Sequence, residues 1–116
     1  MGNYQQALDY HNKALETNED LNDRVGMAKD YNNIGTVLSI MGNYQQASDY
    51  QKKALEIHTE LNDMVGMAAD YNNIGIVLSN MGNSPDALTY HKKALEIDEN
   101  LNDRVYIHRF CTIPLE

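Results

Sequence analysis

The chain copies itself. Met1-Gly2-Asn3-Tyr4-Gln5-Gln6-Ala7 returns as Met41-Gly42-Asn43-Tyr44-Gln45-Gln46-Ala47 and, altered, as Met81-Gly82-Asn83-Ser84-Pro85-Asp86-Ala87. Leu21-Asn22-Asp23 returns at Leu61-Asn62-Asp63 and Leu101-Asn102-Asp103, so the period is 40 residues with no insertion or deletion. A strict period of this length makes each unit one supersecondary element. Such an element cannot bury its apolar face alone, so neighbours must stack.

Each unit carries two helical patterns. Ala47, Tyr50, Ala54, Ile57 and Leu61 are spaced 3, 4, 3 and 4 apart, which puts them on one helix face. Ahead of them, Ala28, Tyr31, Gly35 and Leu38, with Ile34 and Met41 alongside, form a second apolar set that also recurs one period later. The small residues Ala47, Ala54 and Gly35 allow close backbone approach, while Tyr and Leu fill the space beside them. Gly42 suits a left-handed C-terminal cap, and Asn43 with Gln46 has the spacing of a capping box. Asn22 can take the left-handed conformation while Asp23 caps the next helix, and Asp63 repeats that role. Pro85 falls in a first turn, after a cap at Asn83 or Ser84.

These signals predict helices at about 3–20, 24–41, 43–60, 64–81 and 84–100. Short connections force antiparallel neighbours. The expected fold class is all-α: an α-solenoid of antiparallel helix pairs, with about five helices and a short closing helix over 104–111. The repeat domain is expected over 1–103, in units 1–40, 41–80 and a partial 81–103, with a divergent tail at 104–116.

Here the residues resemble a known family. Tyr31, Ile34, Gly35, Leu38, Gly42, Tyr44, Ala47 and Ala54 match the order and spacing of the tetratricopeptide repeat signature, and Tyr71, Ile74, Gly75, Leu78, Gly82, Ala87 and Ala94 match it again. The ordinary repeat has about 34 residues. The longer unit here resembles the extended variety of Pins/LGN-type scaffolds and, more loosely, kinesin light chains. Leu21-Asn22-Asp23-Arg24-Val25-Gly26-Met27-Ala28 followed by Tyr31-Asn32-Asn33-Ile34-Gly35 is most similar to the Pins/LGN type. One departure is that His11, Gln51 and His91 stand where the family usually has an aromatic residue.

The resemblance implies a right-handed solenoid whose first helices line a concave groove. The groove positions would be Lys29, Asn32, Asn33 and Thr36, then Asn72, Asn73 and Ile76. In the resembled scaffolds such asparagines hold the backbone of a peptide, and Asn33 and Asn73 match those positions best. An amide suits that role because it offers a donor and an acceptor together. The other reading is that these asparagines only decorate a solvated face, at a small cost in helix stability. On the peptide-holding reading, Lys29 against Ala69, Thr36 against Ile76 and Ile40 against Asn80 would set specificity.

The phase of the repeat suggests a second kind of surface. The chain starts on the second helix of a pair, so Ala7, Tyr10 and Ala14 lack the partner that their register expects. Val105, Tyr106, Ile107 and Phe110 are apolar positions of the tail, and Val105, Tyr106 and Phe110 are the candidates for contact. Self-association through these ends is one expectation, and a missing helix supplied by a longer array is the other.

Composition narrows the function classes. A formal net charge of -8 disfavours nucleic acid and anionic membrane surfaces. No apolar run approaches the roughly 20 residues of a membrane span, and the N-terminus has no signal-peptide pattern. The single cysteine, Cys111, excludes an intrachain disulfide and fits a cytoplasmic location. His11, His58, His91 and His108 are dispersed without metal-ligand spacing. No nucleophile motif is present, and carboxylates such as Glu16, Glu56 and Glu96 read as solvated faces or helix caps. The expectation is a non-enzymatic scaffold with no metal and no cofactor, binding a protein or peptide partner, or self-associating as a homo-oligomer.

Overall fold

The computed structural model describes residues 3–111, with side-chain surroundings through residue 102. It contains five helices: α1 (Tyr4–Asp20), α2 (Arg24–Ile40), α3 (Tyr44–Glu60), α4 (Met64–Asn80) and α5 (Ser84–Cys111). Each packs against the helix before and after it in sequence, which gives an elongated stack of 58 × 38 × 25 Å. The all-α, solenoid-like architecture expected from the period is the one observed.

The turns close through the backbone. Asn22 and Asn62 have φ of 54° and 56°, and Gly42 and Gly82 have φ of 86° and 84°. At each, paired bonds satisfy the last carbonyls of the preceding helix. Asp23 N–H donates to Asn18 O at 2.8 Å and Asn22 N–H to Glu19 O at 3.1 Å, the Schellman pattern. Asp23 and Asp63 then cap the next helix, accepting from the N–H groups of Gly26 and Gly66. Asn83, rather than Ser84, serves as the cap of α5, since its side chain accepts from Asp86 N–H.

Two local expectations need correction. Asn43 starts α3 without a side-chain cap bond, so no capping box forms with Gln46. Asn43 N–H is instead taken by Leu38 O at 2.8 Å as part of the preceding Schellman turn, which leaves Gln46 no donor to reach back to. The third Leu-Asn-Asp sequence also does not turn. α5 runs unbroken through Asp103 to Cys111, so the expected closing helix is not a separate element.

The interior turns carry a glycine that the third copy lacks. A Cβ on Gly26 would lie 2.7 Å from Asn18 Nδ2, and one on Gly66 would lie 2.5 Å from His58 Cδ2. A side chain three residues after the capping Asp would therefore have to displace Asn18 or His58. The register puts Tyr106 at that position in the third copy, where α5 continues without a turn.

The core is built from the small and branched residues of the repeat. Ala28, Ile34, Ala47, Ala54, Ile74 and Val77 are almost fully buried. Tyr31 packs on Tyr50 with ring centroids 6.1 Å apart, and Tyr71 on Tyr90 at 6.0 Å. Lys53 and Lys93 lie over these ring pairs. Tyr10, expected in the core by the same spacing, is instead 76% exposed, and no described tyrosine ring packs on it as Tyr31 does on Tyr50.

Candidate functional site

The residues expected to line a groove lie on the first helices of the two complete pairs. On α2, Ala28, Ile34, Gly35 and Leu38 face the core, so the opposite stripe carries Lys29, Asn32, Asn33, Thr36 and Ile40 outward. On α4 the equivalent stripe carries Asn72, Asn73, Ile76 and Asn80. Lys29, Thr36, Ile40, Asn72 and Ile76 are exposed; Asn32, Asn33 and Asn73 are half-buried.

The two stripes meet. Asn73 Nδ2 donates to Asn32 Oδ1 at 3.0 Å, tying α4 to α2 across one full repeat. Thr36 Oγ1 donates back to Asn32 O at 3.0 Å, as hydroxyls in helices do. Asn72 Oδ1 lies 3.1 Å from His91 Nδ1 on α5, so the unusual histidine of the second helix props a groove asparagine from behind. Of the expected asparagines, Asn32 and Asn73 are thus bonded to each other and Asn72 to His91, while Asn33 takes part in neither bond.

Behind this face is a residue that sequence reasoning did not assign to the groove. A Cβ on Gly35 would lie 2.7 Å from Gln51 Cγ and 3.0 Å from Ala47 O, so α3 presses directly onto α2 here. Through that gap Gln51 reaches a cavity of about 170 Å³, lined by Thr36, Ser39, Ile40, Gln51, Asn73, Ile76 and Val77. The signal was visible as the departure from an aromatic residue at this position. Which cavity the side chain would line was not. A larger open hollow of about 670 Å³ lies at the helix turns, between Gly42–Gln46 and Asn80–Met81, and carries no ionisable group other than Tyr44.

The ends present a different surface. Ala47 and Ala54 on α3 are sealed by α2, whereas Ala7 and Ala14 on α1 are half-buried and Tyr10 stands in solvent. At the other end Leu88 is 55% exposed, although its register mate Leu8 is buried under α2. Leu95 is similarly exposed. Neither leucine was singled out from the sequence, although their register at Leu8 and Leu15 marks both as interface positions. The side chains of Val105, Tyr106 and Phe110 lie outside the described residues.

The junction between pairs contains a buried titratable pair. Asp70 on α4 is fully buried, and His58 on α3 contacts its Oδ2 through Nδ1. Burial pushes the Asp70 carboxyl above its usual range, the His58 hydrogen bond and charge pull it partly back, and Asp63 adds a smaller upward push. Its other oxygen, Oδ1, has no hydrogen-bond partner among the described residues. Among the described residues no three His, Cys, Asp or Glu side chains gather as a metal site. No described helix is long and apolar enough to cross a membrane.

The tetratricopeptide repeat family model matches residues 1–60 and again 31–100. The chain belongs to the tetratricopeptide repeat family. Among solved structures it is similar to the TPR domain of Arabidopsis FLU, with a TM-score of 0.78 and 22% identity over 84% of this chain and 82% of that one. At that identity the likeness speaks for the fold. No curated protein matches the sequence. Domains of this family mediate protein–protein interactions, and that general role extends to this chain.

Proposed function

We propose that this repeat domain is a non-enzymatic scaffold that holds a short segment of a partner protein along the face lined by α2 and α4. The observation that carries the reading is the Asn73–Asn32 hydrogen bond beside exposed Thr36, Ile40 and Ile76. It pre-orients amides from two successive repeats on one surface, with apolar side chains next to them. Pre-oriented amides can pair with a peptide's C=O and N–H groups at low entropic cost. Lys29 and Ala69 would diversify the rim, in keeping with the Pins/LGN-type likeness of the repeat.

The test is selection from a randomised phage-displayed peptide library, followed by titration of the recovered peptides against wild type and an Asn33→Ala/Asn73→Ala double variant. The double variant is expected to bind at least tenfold more weakly, the loss of one to two hydrogen bonds. Equal binding by both proteins would remove the asparagine mechanism.

A second reading rests on the ends. Tyr10 at one end and Leu88 and Leu95 at the other are large exposed apolar side chains at positions that the interior repeats cover or pack against. Association of copies through these surfaces would remove them from water. Sedimentation over a range of concentrations tests it, with self-association weakened in Tyr10→Glu and Leu88→Glu. A strictly monomeric wild type ends this reading and leaves the groove reading untouched.

A further inference from the structure

Each second helix of the interior carries a face that the next first helix covers. On α1, Leu8 packs with Ile34, Val37 and Leu38 of α2, Leu15 joins Met27 and Ala28, and Asn18 donates to Asp30 Oδ2. On α3 the same register holds Ser48, Leu55 and His58, with Ser48 buried and His58 in contact with Asp70 of α4. Both interfaces thus join one stripe of the second helix to one of the next first helix. Both also carry a polar contact to an aspartate of that first helix.

The face recurs on α5, where no described helix covers it. Leu88 and Leu95 stand where Leu8 and Leu15 do, and they are 55% and 56% exposed. α5 runs unbroken to Cys111, so residues 101–111 extend the helix and do not fold back over the face. The polar position is the one that differs. Where α1 has Asn18 and α3 has His58, α5 has the exposed Asp98. Glu99 beside it adds to that charge, while Lys92 lies nearly two turns back. An amide or an imidazole can donate to a carboxylate, whereas a carboxylate only accepts. A first helix of this chain's own kind would bring Asp30 or Asp70 against Asp98, a second acceptor of like charge. A helix with the same apolar stripe and a cation in place of the aspartate would gain a charge-assisted hydrogen bond there.

We propose that this face of α5 docks an amphipathic helix of a partner protein, one that carries Lys or Arg where α2 carries Asp30 and α4 carries Asp70. The partner helix supplies apolar residues three positions before the cation and four and seven after it, the places of Met27, Ile34 and Val37. Leu88 and Leu95 take that stripe as Leu8 and Leu15 take theirs, and Asp98 accepts from the cation. The stack is extended by a helix from another chain, and one charge selects against the first helices of a second copy. This end of the stack is separate from the face lined by α2 and α4, so the groove reading can fail without it.

Matched synthetic peptides test the charge rule. One has the sequence of residues 23–42, the other the same sequence with Asp30→Lys, and both are titrated against the whole chain. Wild type should bind the Asp30→Lys peptide about tenfold more tightly than the unmodified one. Asp98→Lys protein should reverse that preference, which separates the pairing from any difference in peptide helicity. Leu88→Glu protein should lose both peptides, and Asn33→Ala/Asn73→Ala protein should keep them. Asp98 and Leu88 are exposed, so neither substitution there disturbs the core. Equal binding of the two peptides by wild type, or a preference unchanged in Asp98→Lys, would overturn the proposal. So would binding kept by Leu88→Glu, binding lost in Asn33→Ala/Asn73→Ala, or no binding of either peptide. If wild type sediments as an oligomer that Leu88→Glu dissolves, a second copy covers the face and the proposal likewise falls.

Discussion

The junction between α1 and α2 and the junction between α3 and α4 are built on one plan and differ in one polar side chain. In the first, Asn18 Nδ2 donates to Asp30 Oδ2; in the second, His58 takes the place of Asn18 and holds Asp70. Both aspartates are buried, and both partners lie under a glycine, Gly26 or Gly66, that leaves room for them. A neutral amide thus secures one repeat to the next, while an ionisable ring secures the following pair. The comparison teaches that near-identical repeats can share geometry and still differ in how their stability responds to charge.

The strongest way to break this parallel is to remove the partners. His58→Ala should lower stability by about 3 kcal/mol, because a fully buried carboxylate loses both its hydrogen bond and its counter-charge. Asn18→Ala should cost less, about 1–2 kcal/mol, since only a neutral donor is lost. Denaturant unfolding of both variants measures the difference, and equal losses would mean that the histidine adds nothing through charge. Filling the glycine gaps comes next. Gly66→Ala should cost about 2 kcal/mol, as the new methyl meets a stiff imidazole, and Gly26→Ala about 1 kcal/mol, as the Asn18 amide can turn aside. Thermal melts of the pair would rank them.

The pH response separates the junctions more gently. Burial raises the Asp70 carboxyl above its unfolded value of 3.8, so the native state keeps this proton where the unfolded chain has lost it. The proton-linked stability is therefore full below pH about 3.9 and fades as pH rises through the elevated native value. Relative to Asp70→Asn, wild type should lose stability as pH climbs across that window. A flat difference between the two curves would show that His58 cancels the burial. The smallest effect expected is at the free end: Tyr10→Ala should change stability by no more than about 0.5 kcal/mol, against about 2 kcal/mol or more for the packed Tyr50→Ala.

Legibility followed distance along the chain. Asn22, Asp23, Gly42 and Asp63 were readable because each turn is made by residues next to one another, and the positive φ values and cap bonds agree with that reading. The asparagine stripe on α2 and α4 was readable through the family likeness. The carboxylates of Asp30 and Asp70 were not, since a mid-helix Asp ordinarily faces water. A clue was present in the spacing of Met27, Asp30 and Ile34, 3 and 4 residues apart on the buried face. Their partners, Asn18 and His58, stand 12 residues back across a turn.

The period, the apolar spacing and the turn residues determined by themselves that this protein is a stack of antiparallel helices, because those features act within a few residues. The tertiary structure alone decided which polar groups share an interior. Gln51 packs against Gly35, Asn73 reaches Asn32 across a whole repeat, and α5 passes the third Leu-Asn-Asp unbroken. Each outcome depends on how closely two helices approach, and that distance is set by the side chains of both. No single helix sequence carries it.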